Sequence, residues 1–270
     1  MIVAGCDVGS LTGKAVIMED GSIISTSLIL CTPIPQKTAE IVMNEALKKA
    51  NLKLEDIQYI VGTGYGRIKI PFANTNISEI SCHGKGANWL LPTVRSVVDI
   101  GGQDCKVISI NENADVLEFV MNDKCASGTG RFLELSAKAL GLALEELGPE
   151  SLESKNPCNI TSQCSVFAES EIISLLAQNV SIPDIAAGIH KSIASRITTL
   201  MKRLGFRKDM TITGGVAKNP GIVKFLEEEF GEVKKMPIDP QIVGALGAAL
   251  LAKERLLKQT KQSGAEYESE

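Results

Sequence analysis

The chain has 270 residues, a formal net charge of -4 and 44% hydrophobic residues, of which few are aromatic. This length suits one large domain or two ordinary ones. The scattered Lys and Arg argue against a nucleic-acid partner, which normally requires a basic face. The start of the chain lacks a secretory pattern, and no apolar run reaches the roughly 18 residues of a membrane span, so we expect a cytoplasmic protein without membrane contact.

The first part of the chain predicts a strand–turn–strand unit followed by further strands and helices. Asp20-Gly21 is a strong hairpin signal between two of the strands. The predicted strands cover 2–8, 14–19, 22–31 and 57–62, and the predicted helices cover 38–50 and 83–91.

The pattern restarts about 90 residues later, which indicates an internal duplication. Predicted strands cover 96–100, 106–111, 116–121 and 210–213, and predicted helices cover 130–140, 182–204, 221–230 and 243–258. Mixed strands and helices of this kind favour an α/β fold with sheets flanked by helices. We expect a first domain over 1–95, a second over 96–242, a last helix that packs back on the first, and a disordered polar tail over 259–270.

Three glycine-rich turns follow predicted strands and are suited to bind phosphate. Glycine lets the backbone approach an anion, and amide, hydroxyl and lysine groups donate to its oxygens. Asp7 precedes the first turn and is suited to hold Mg²⁺ through water. One such turn is usually structural, and the first is one residue too short for a P-loop. The candidate nucleotide-binding residues are Gly9, Ser10, Leu11, Thr12, Lys14, Gly101, Gly102, Gln103, Gly214, Gly215, Lys218 and Gln241.

Seven cysteines without a C-x-x-C pair indicate neither a disulfide framework nor a local zinc or four-thiolate site. Most are expected to be buried small side chains. Cys125 and Cys164 differ, because each precedes a predicted helix, with Ser165 a candidate cap for the second, and a helix N-terminus stabilises a thiolate. Two thiolates complete a Cys₄ cluster site only in a two-fold dimer, and a nucleophilic cysteine is the alternative.

Several segments together resemble the activator component of 2-hydroxyacyl-CoA dehydratases and benzoyl-CoA reductases. These activators are ATP-dependent reductases, sometimes called archerases, of the actin-like ATPase superfamily. The resemblance runs from residue 2 to about 252, and the segment around Cys125 is its most specific part. The matching segments are 7–10, 62–67, 78–83, 99–104, 122–132, 166–171, 188–190 and 213–217.

The resemblance implies an actin-like, RNase H-like fold with duplicated domains and a homodimer. It implies one 4Fe–4S cluster bridging the two subunits through Cys125 and Cys164, and turnover of ATP to ADP with Mg²⁺ that changes the angle between the cluster-bearing helices. For catalysis we expect Asp7, Gln103 and Asp104. The electron would come from a donor such as ferredoxin or flavodoxin and pass to an acyl-CoA dehydratase or another iron–sulfur reductase of the double-cubane type.

Two other functions remain open at this stage. An actin-fold kinase would use Asp99 or Asp104 as the base beside an acceptor hydroxyl, but this function leaves Cys125 and Cys164 unexplained. The other is a non-enzymatic ATP switch, like a chaperone. Cys158 is interpreted as a bystander thiol, and His190 as a core or interface residue.

Overall fold

The structure is a computed structural model that describes residues 1–122, 125–161 and 164–267. The strands are β1 Ile2–Val8, β2 Thr12–Glu19, β3 Ser22–Leu30, β4 Tyr59–Thr63, β5 Thr75–Asn76, β6 Ser96–Ile100, β7 Cys105–Ile110, β8 Val116–Asn122, β9 Met210–Thr213 and β10 Val233–Lys234. The helices are α1 Pro35–Ala50, α2 Glu79–Leu90, α3 Gly130–Leu140, α4 Leu144–Leu152, α5 Ser165–Ala177, α6 Ile182–Leu204, α7 Pro220–Phe230 and α8 Val243–Tyr267.

The described strands form two five-stranded mixed sheets with the same topology. The first has the order β3-β2-β1-β4-β5 and the second has the order β8-β7-β6-β9-β10. In each sheet the central strand pairs antiparallel with the next strand and parallel with a later one, β4 beside β1 and β9 beside β6. The duplication predicted from the sequence pattern is therefore confirmed.

The first compact unit comprises Met1–Pro92, Asn113–Asp115 and the chain from Gln241 onward. Helix α1 packs on β2 and β3, whereas α8 packs on β1, β4 and α2. Glycine permits this close packing, since a Cβ at Gly5 would clash with the backbone of α8 and a Cβ at Gly247 would clash with the backbone of α2.

The second unit comprises Thr93–Glu112 and Val116–Pro240. Helices α3 to α7 pack around its sheet, and the core is mainly aliphatic, with Phe132, Leu147, Ile185, Ile189 and Ile193 fully buried. One face of α6 supplies the three isoleucines, as expected for an amphipathic helix against a sheet.

Several helix bounds differ from the sequence prediction. Helix α2 begins four residues earlier than expected, because the Ser78 side chain accepts a hydrogen bond from the Ile80 amide and caps it. Helix α4 was not predicted, since Pro149 lies inside it. Helix α8 continues to Tyr267 instead of ending at 258, because Lys, Gln, Ala and Glu favour helix. The expected disorder of the polar tail stays a prediction. The remainder, 268–270, lies outside the described residues.

Candidate functional site

The first glycine turn joins β1 to β2 and contains a buried ion pair. Asp7 and Lys14 are direct cross-strand neighbours, and the Lys14 Nζ lies 3.2 Å from the Asp7 Oδ2. The Gly9 amide donates to the Thr12 carbonyl at 3.0 Å and closes a tight loop. The Cβ position of Gly9 is 3.0 Å from the Lys14 Nζ, so the ammonium group lies beneath this loop. The arrangement provides a positive charge and backbone amides for an anion.

The second turn repeats this geometry between β6 and β7. Asp99 and Lys106 are cross-strand neighbours, with 3.5 Å between the Lys106 Nζ and the Asp99 Oδ2. The Gly101 amide donates to the Asp104 carbonyl at 2.9 Å. The Lys106 ammonium also lies 2.7 Å from the Asp104 Oδ1, so Asp104 is held in a salt bridge.

Each sheet adds a threonine and a positive-φ glycine beside the aspartate. Thr213 pairs with Asp99 across β9 and β6, and its hydroxyl donates to the Asp99 Oδ1 at 3.0 Å. Thr63 is the equivalent neighbour of Asp7, but its hydroxyl makes no hydrogen bond to that carboxylate. The glycines that follow have φ of 88° at Gly64 and 84° at Gly214, a conformation that L side chains rarely adopt. The two turns thus share a framework but hold their aspartates differently.

The other predicted nucleotide-binding residues lie in or beside these turns. Ser10, Leu11 and Thr12 are half-buried in the first loop, and Gly102 and Gln103 lie in the second. Gly214 begins the third turn, where its amide donates to the Pro240 carbonyl at 3.0 Å, and Gly215 follows it. Lys218 forms a 2.7 Å ion pair with Asp239, and Gln241 lies in the short helical turn Pro240–Ile242.

Cys125 lies in a loop that three side chains hold in place. Its thiol is 2.8 Å from the hydroxyl of the fully buried Ser127, which lowers the pKa of Cys125, and Arg196 adds to this effect. The Asn122 amide donates to the Cys125 carbonyl at 2.9 Å, and Thr129 donates to the Ala126 carbonyl at 2.6 Å. The lowered pKa of this half-exposed thiol favours the thiolate, which is the form that binds iron or attacks an electrophile.

Cys164 is exposed and is the N-cap residue of α5. Ser165, the candidate cap from the sequence, is instead the first helical residue. The neighbouring Ser162 and Gln163, like Asp123 and Lys124 beside Cys125, lie outside the described residues.

The remaining cysteines are less available. Burial raises the pKa of Cys6 and Cys105 far above the ordinary value and that of Cys82 to about 12. Burial also raises the pKa of Cys31 and of Cys158. Within the described ranges of one chain, no group of three or more His, Cys, Asp or Glu side chains is arranged to hold a metal ion. None of the described helices combines the length and apolarity needed to cross a membrane.

Helix α3 is hydrogen-bonded to the second phosphate turn. The amides of Gly130 and Arg131, the first two residues of α3, donate to the carbonyls of Gly101 and Gly102, both at 2.9 Å. The described loop that leads into this helix, residues 125–129, is called the cysteine loop below, and it begins with Cys125, five residues before the helix starts. Two hydrogen bonds therefore join the phosphate turn to the helix that follows the cysteine loop.

Two features of this site were not predicted from the sequence. The duplication was expected from the pattern of strands and helices alone, yet Asp7, Gly9 and Lys14 recur as Asp99, Gly101 and Lys106 at a constant spacing. That spacing is visible in the sequence. The role of Ser127 was not predicted either, because nothing in the sequence shows that its hydroxyl turns back toward Cys125.

The protein has two sheets of identical topology. Each sheet carries an aspartate, a glycine turn and a lysine at the end of its central strands, and this arrangement defines an actin-like ATPase. The chain belongs to the BadF/BadG/BcrA/BcrD ATPase family, whose model matches residues 4–252. As a member of this family the protein binds and hydrolyses ATP.

Three relatives cover nearly the whole chain. The crystal structure of component A of the (R)-2-hydroxyglutaryl-CoA dehydratase of Acidaminococcus fermentans is 43% identical, with a TM-score of 0.90 over 94% of this chain and 98% of that one. The activator of the 2-hydroxyisocaproyl-CoA dehydratase of Clostridium difficile, solved with bound ADPNP, is also 43% identical, with a TM-score of 0.91 over 97% and 98% of the two chains. The activator of lactoyl-CoA dehydratase of Anaerotignum propionicum is 44% identical, over 96% of this chain and 100% of that one.

Proposed function

We propose that the protein activates a 2-hydroxyacyl-CoA dehydratase, or another iron–sulfur reductase, by ATP-driven transfer of one electron at a time. Two copies would share a 4Fe–4S cluster, and a donor such as ferredoxin or flavodoxin would reduce it. The names of the relatives support the acceptor, since each is a component or activator of such a dehydratase.

The chemistry of two cysteines supports the cluster. Cys125 is half-exposed and favoured as a thiolate, and Cys164 is exposed at the start of a helix. Each chain would supply two of the four thiolates, and a two-fold axis would supply the others. The cluster would contribute a low-potential electron. Helix α5, whose N-cap is Cys164, exposes 68% of Phe167 and 55% of Ile173, two apolar side chains that a second copy would cover.

The two aspartates are suited to different roles toward nucleotide. Asp99 has both carboxylate oxygens engaged, by Lys106 and Thr213. Asp7 accepts from Lys14 at Oδ2, while its Oδ1 lies close to the position that a Cβ of Gly64 would occupy, and Asp7 is therefore better suited to hold Mg²⁺ through water. Both lysines would offset phosphate charge.

We further propose catalytic roles for Asp7, Gln103 and Asp104. Gln103 is exposed at the tip of the second turn and would orient the attacking water. Asp104 would position the turn through its salt bridge to Lys106.

The proposed coupling of ATP binding and hydrolysis to electron transfer is supported by one observation. The amides of Gly130 and Arg131 donate two hydrogen bonds to the second phosphate turn. Nucleotide can change the cysteine loop only as far as it binds two arrangements of that turn with different affinity. These bonds give such a difference a direct path to Cys125 within a single compact unit.

The test is the iron content and oligomeric state of protein purified without oxygen. We expect about four irons per two chains in the wild type, and loss of iron in Cys125→Ser and in Cys164→Ser. Cys158→Ser is the matched control and should keep its iron, because that thiol is disfavoured as a thiolate by burial. An iron-free wild type, or iron that survives in Cys164→Ser but not in Cys158→Ser, would refute the ligand assignment.

A further inference from the structure

A polar groove of about 580 Å³ lies beside the cysteine loop in the second unit. One face of α6 forms its floor, and Cys125 and Cys158 lie in its wall. Arg196, on the floor, packs against the cysteine loop, since its Cδ is 3.5 Å from the Cβ position of Gly128. The groove therefore borders the loop that carries Cys125.

The groove is positively charged although the chain as a whole is negative. Lys191, Arg196 and Arg203 line it, and no acidic side chain occurs among the described residues of the lining. The formal net charge of the chain is -4, so this concentration of positive charge is local. Half of the other described lining residues carry a hydroxyl or amide group, among them Ser192, Ser195 and Asn159. A surface of this kind attracts an anionic partner and binds it through polar contacts.

We propose that this groove docks an acidic one-electron carrier protein that reduces the cluster. The inference rests on the proposed function and adds the surface through which the electron enters. One electron leaves the reduced carrier and enters the cluster, so the carrier is oxidised and the cluster reduced by one electron, with no bond or proton transferred.

Position and charge both favour this occupant. The rate of electron tunnelling falls exponentially with distance, so a donor must dock within short reach of a cluster ligand, and Cys125 lies in the groove wall. Electron carriers exchange rapidly between partners through small, weak interfaces. Complementary charge accelerates their encounter without requiring tight burial.

The experiment measures binding of oxidised flavodoxin, an acidic FMN protein, to the anaerobically purified dimer by calorimetry. The groove variant is Lys191→Glu/Arg203→Glu. The matched control is Lys138→Glu/Lys224→Glu, which makes the same charge change at two exposed lysines of the second unit outside the groove. Neither pair includes a proposed nucleotide or cluster residue.

At about 50 mM salt we expect the groove variant to bind flavodoxin roughly tenfold or more weakly, and the control to bind within about twofold of wild type. The difference should nearly vanish at about 0.5 M salt. Reduction of the cluster by flavodoxin should slow in parallel, while reduction by dithionite should not change.

Equal weakening in both double variants, or in neither, would overturn the proposal. So would a groove variant that becomes monomeric, because the groove would then be an interface between copies of the chain. Unchanged flavodoxin binding with lost activation of the acceptor enzyme would assign the groove to the acceptor and would also overturn it. Because binding of oxidised flavodoxin does not require iron, an iron-free protein would refute the proposed function while the affinities still test the groove.

Discussion

Asp7 and Lys14 form an ion pair that is removed from solvent, with side chains only 5% and 11% exposed, at the point where the first glycine turn leaves the sheet. Removal of one partner leaves the other as an uncompensated buried charge. Lys14→Met should therefore destabilise the protein by about 3–5 kcal/mol, measured by denaturant unfolding with bound nucleotide removed.

The double variant Lys14→Met/Asp7→Asn is the control for this prediction. With no charge left to bury, it should regain most of the lost stability, although it should not hydrolyse ATP. A Lys14→Met protein as stable as wild type would show that the pair is hydrated and contributes little.

Ser127→Ala should make the cluster a stronger reductant. The Ser127 hydroxyl is 2.8 Å from the Cys125 sulfur, and a hydrogen bond to a ligating thiolate stabilises the more negative, reduced cluster. A bond worth about 1 kcal/mol corresponds to about 40 mV for one electron. We expect the midpoint potential to fall by that order, by redox titration, with full iron content. Ser174→Ala, at an exposed hydroxyl of α5, should leave the potential unchanged.

Gly130→Ala should weaken the link between nucleotide and cluster. A Cβ at this position would lie 3.3 Å from the Gly101 carbonyl oxygen, so the bond from the Gly130 amide must lengthen. We expect ATP hydrolysis to persist, and the difference in iron chelation rate between the ADP state and an ATP-analogue state to shrink. Lys138→Ala, at an exposed position in the last turn of α3, is the control. An undiminished nucleotide effect in Gly130→Ala would place the coupling elsewhere.

We expect the protein to lose stability in mild acid because of His190. Burial lowers the pKa of this fully buried imidazole below its usual value, although contacts to the Ala186 carbonyl and to Asn219 oppose the shift. In mild acid His190 is therefore protonated more readily in the unfolded chain than in the folded chain. The free energy of unfolding decreases as the pH falls from about 6.5 toward the lowered pKa, by no more than about 1.4 kcal/mol per pH unit. Urea unfolding at pH 7.5 and 5.5 measures this, and the difference should diminish in His190→Gln. An equal difference in both proteins would exclude His190 as its source.

Local sequence signals were sufficient for much of the fold. The central strands and the long helix α6 followed from alternation, helical spacing and glycine turns, because their residues face one core each. Helix α4 was not predicted because it has only nine residues and one of them is a proline, which disfavours a helix. In the structure this helix is stabilised by Leu147, which is buried in the core of the second unit. Burial of this kind depends on contacts from distant parts of the chain.

For the site, the sequence identified the turns and the two cysteines but not how their groups are paired. The ion pairs of Lys14 and Lys106 depend on the register between neighbouring strands. The sequence pattern alone does not determine this register to within one residue. The difference between Thr63 and Thr213 depends on the orientation of a single hydroxyl, and so does the contact of Ser127 with Cys125. Such orientations are decided by packing around them.

The packing of α8 on β1, β4 and α2 also determines the order in which the protein can fold as it leaves the ribosome. All residues of the second unit precede Gln241, so that unit can close while the final helix is still within the ribosome. The first unit is completed only when α8 has emerged, and until then the face of its sheet and of α2 that receives α8 stays uncovered. A nascent chain halted before residue 243 would therefore expose that apolar face to chaperones, although its second unit could already have folded.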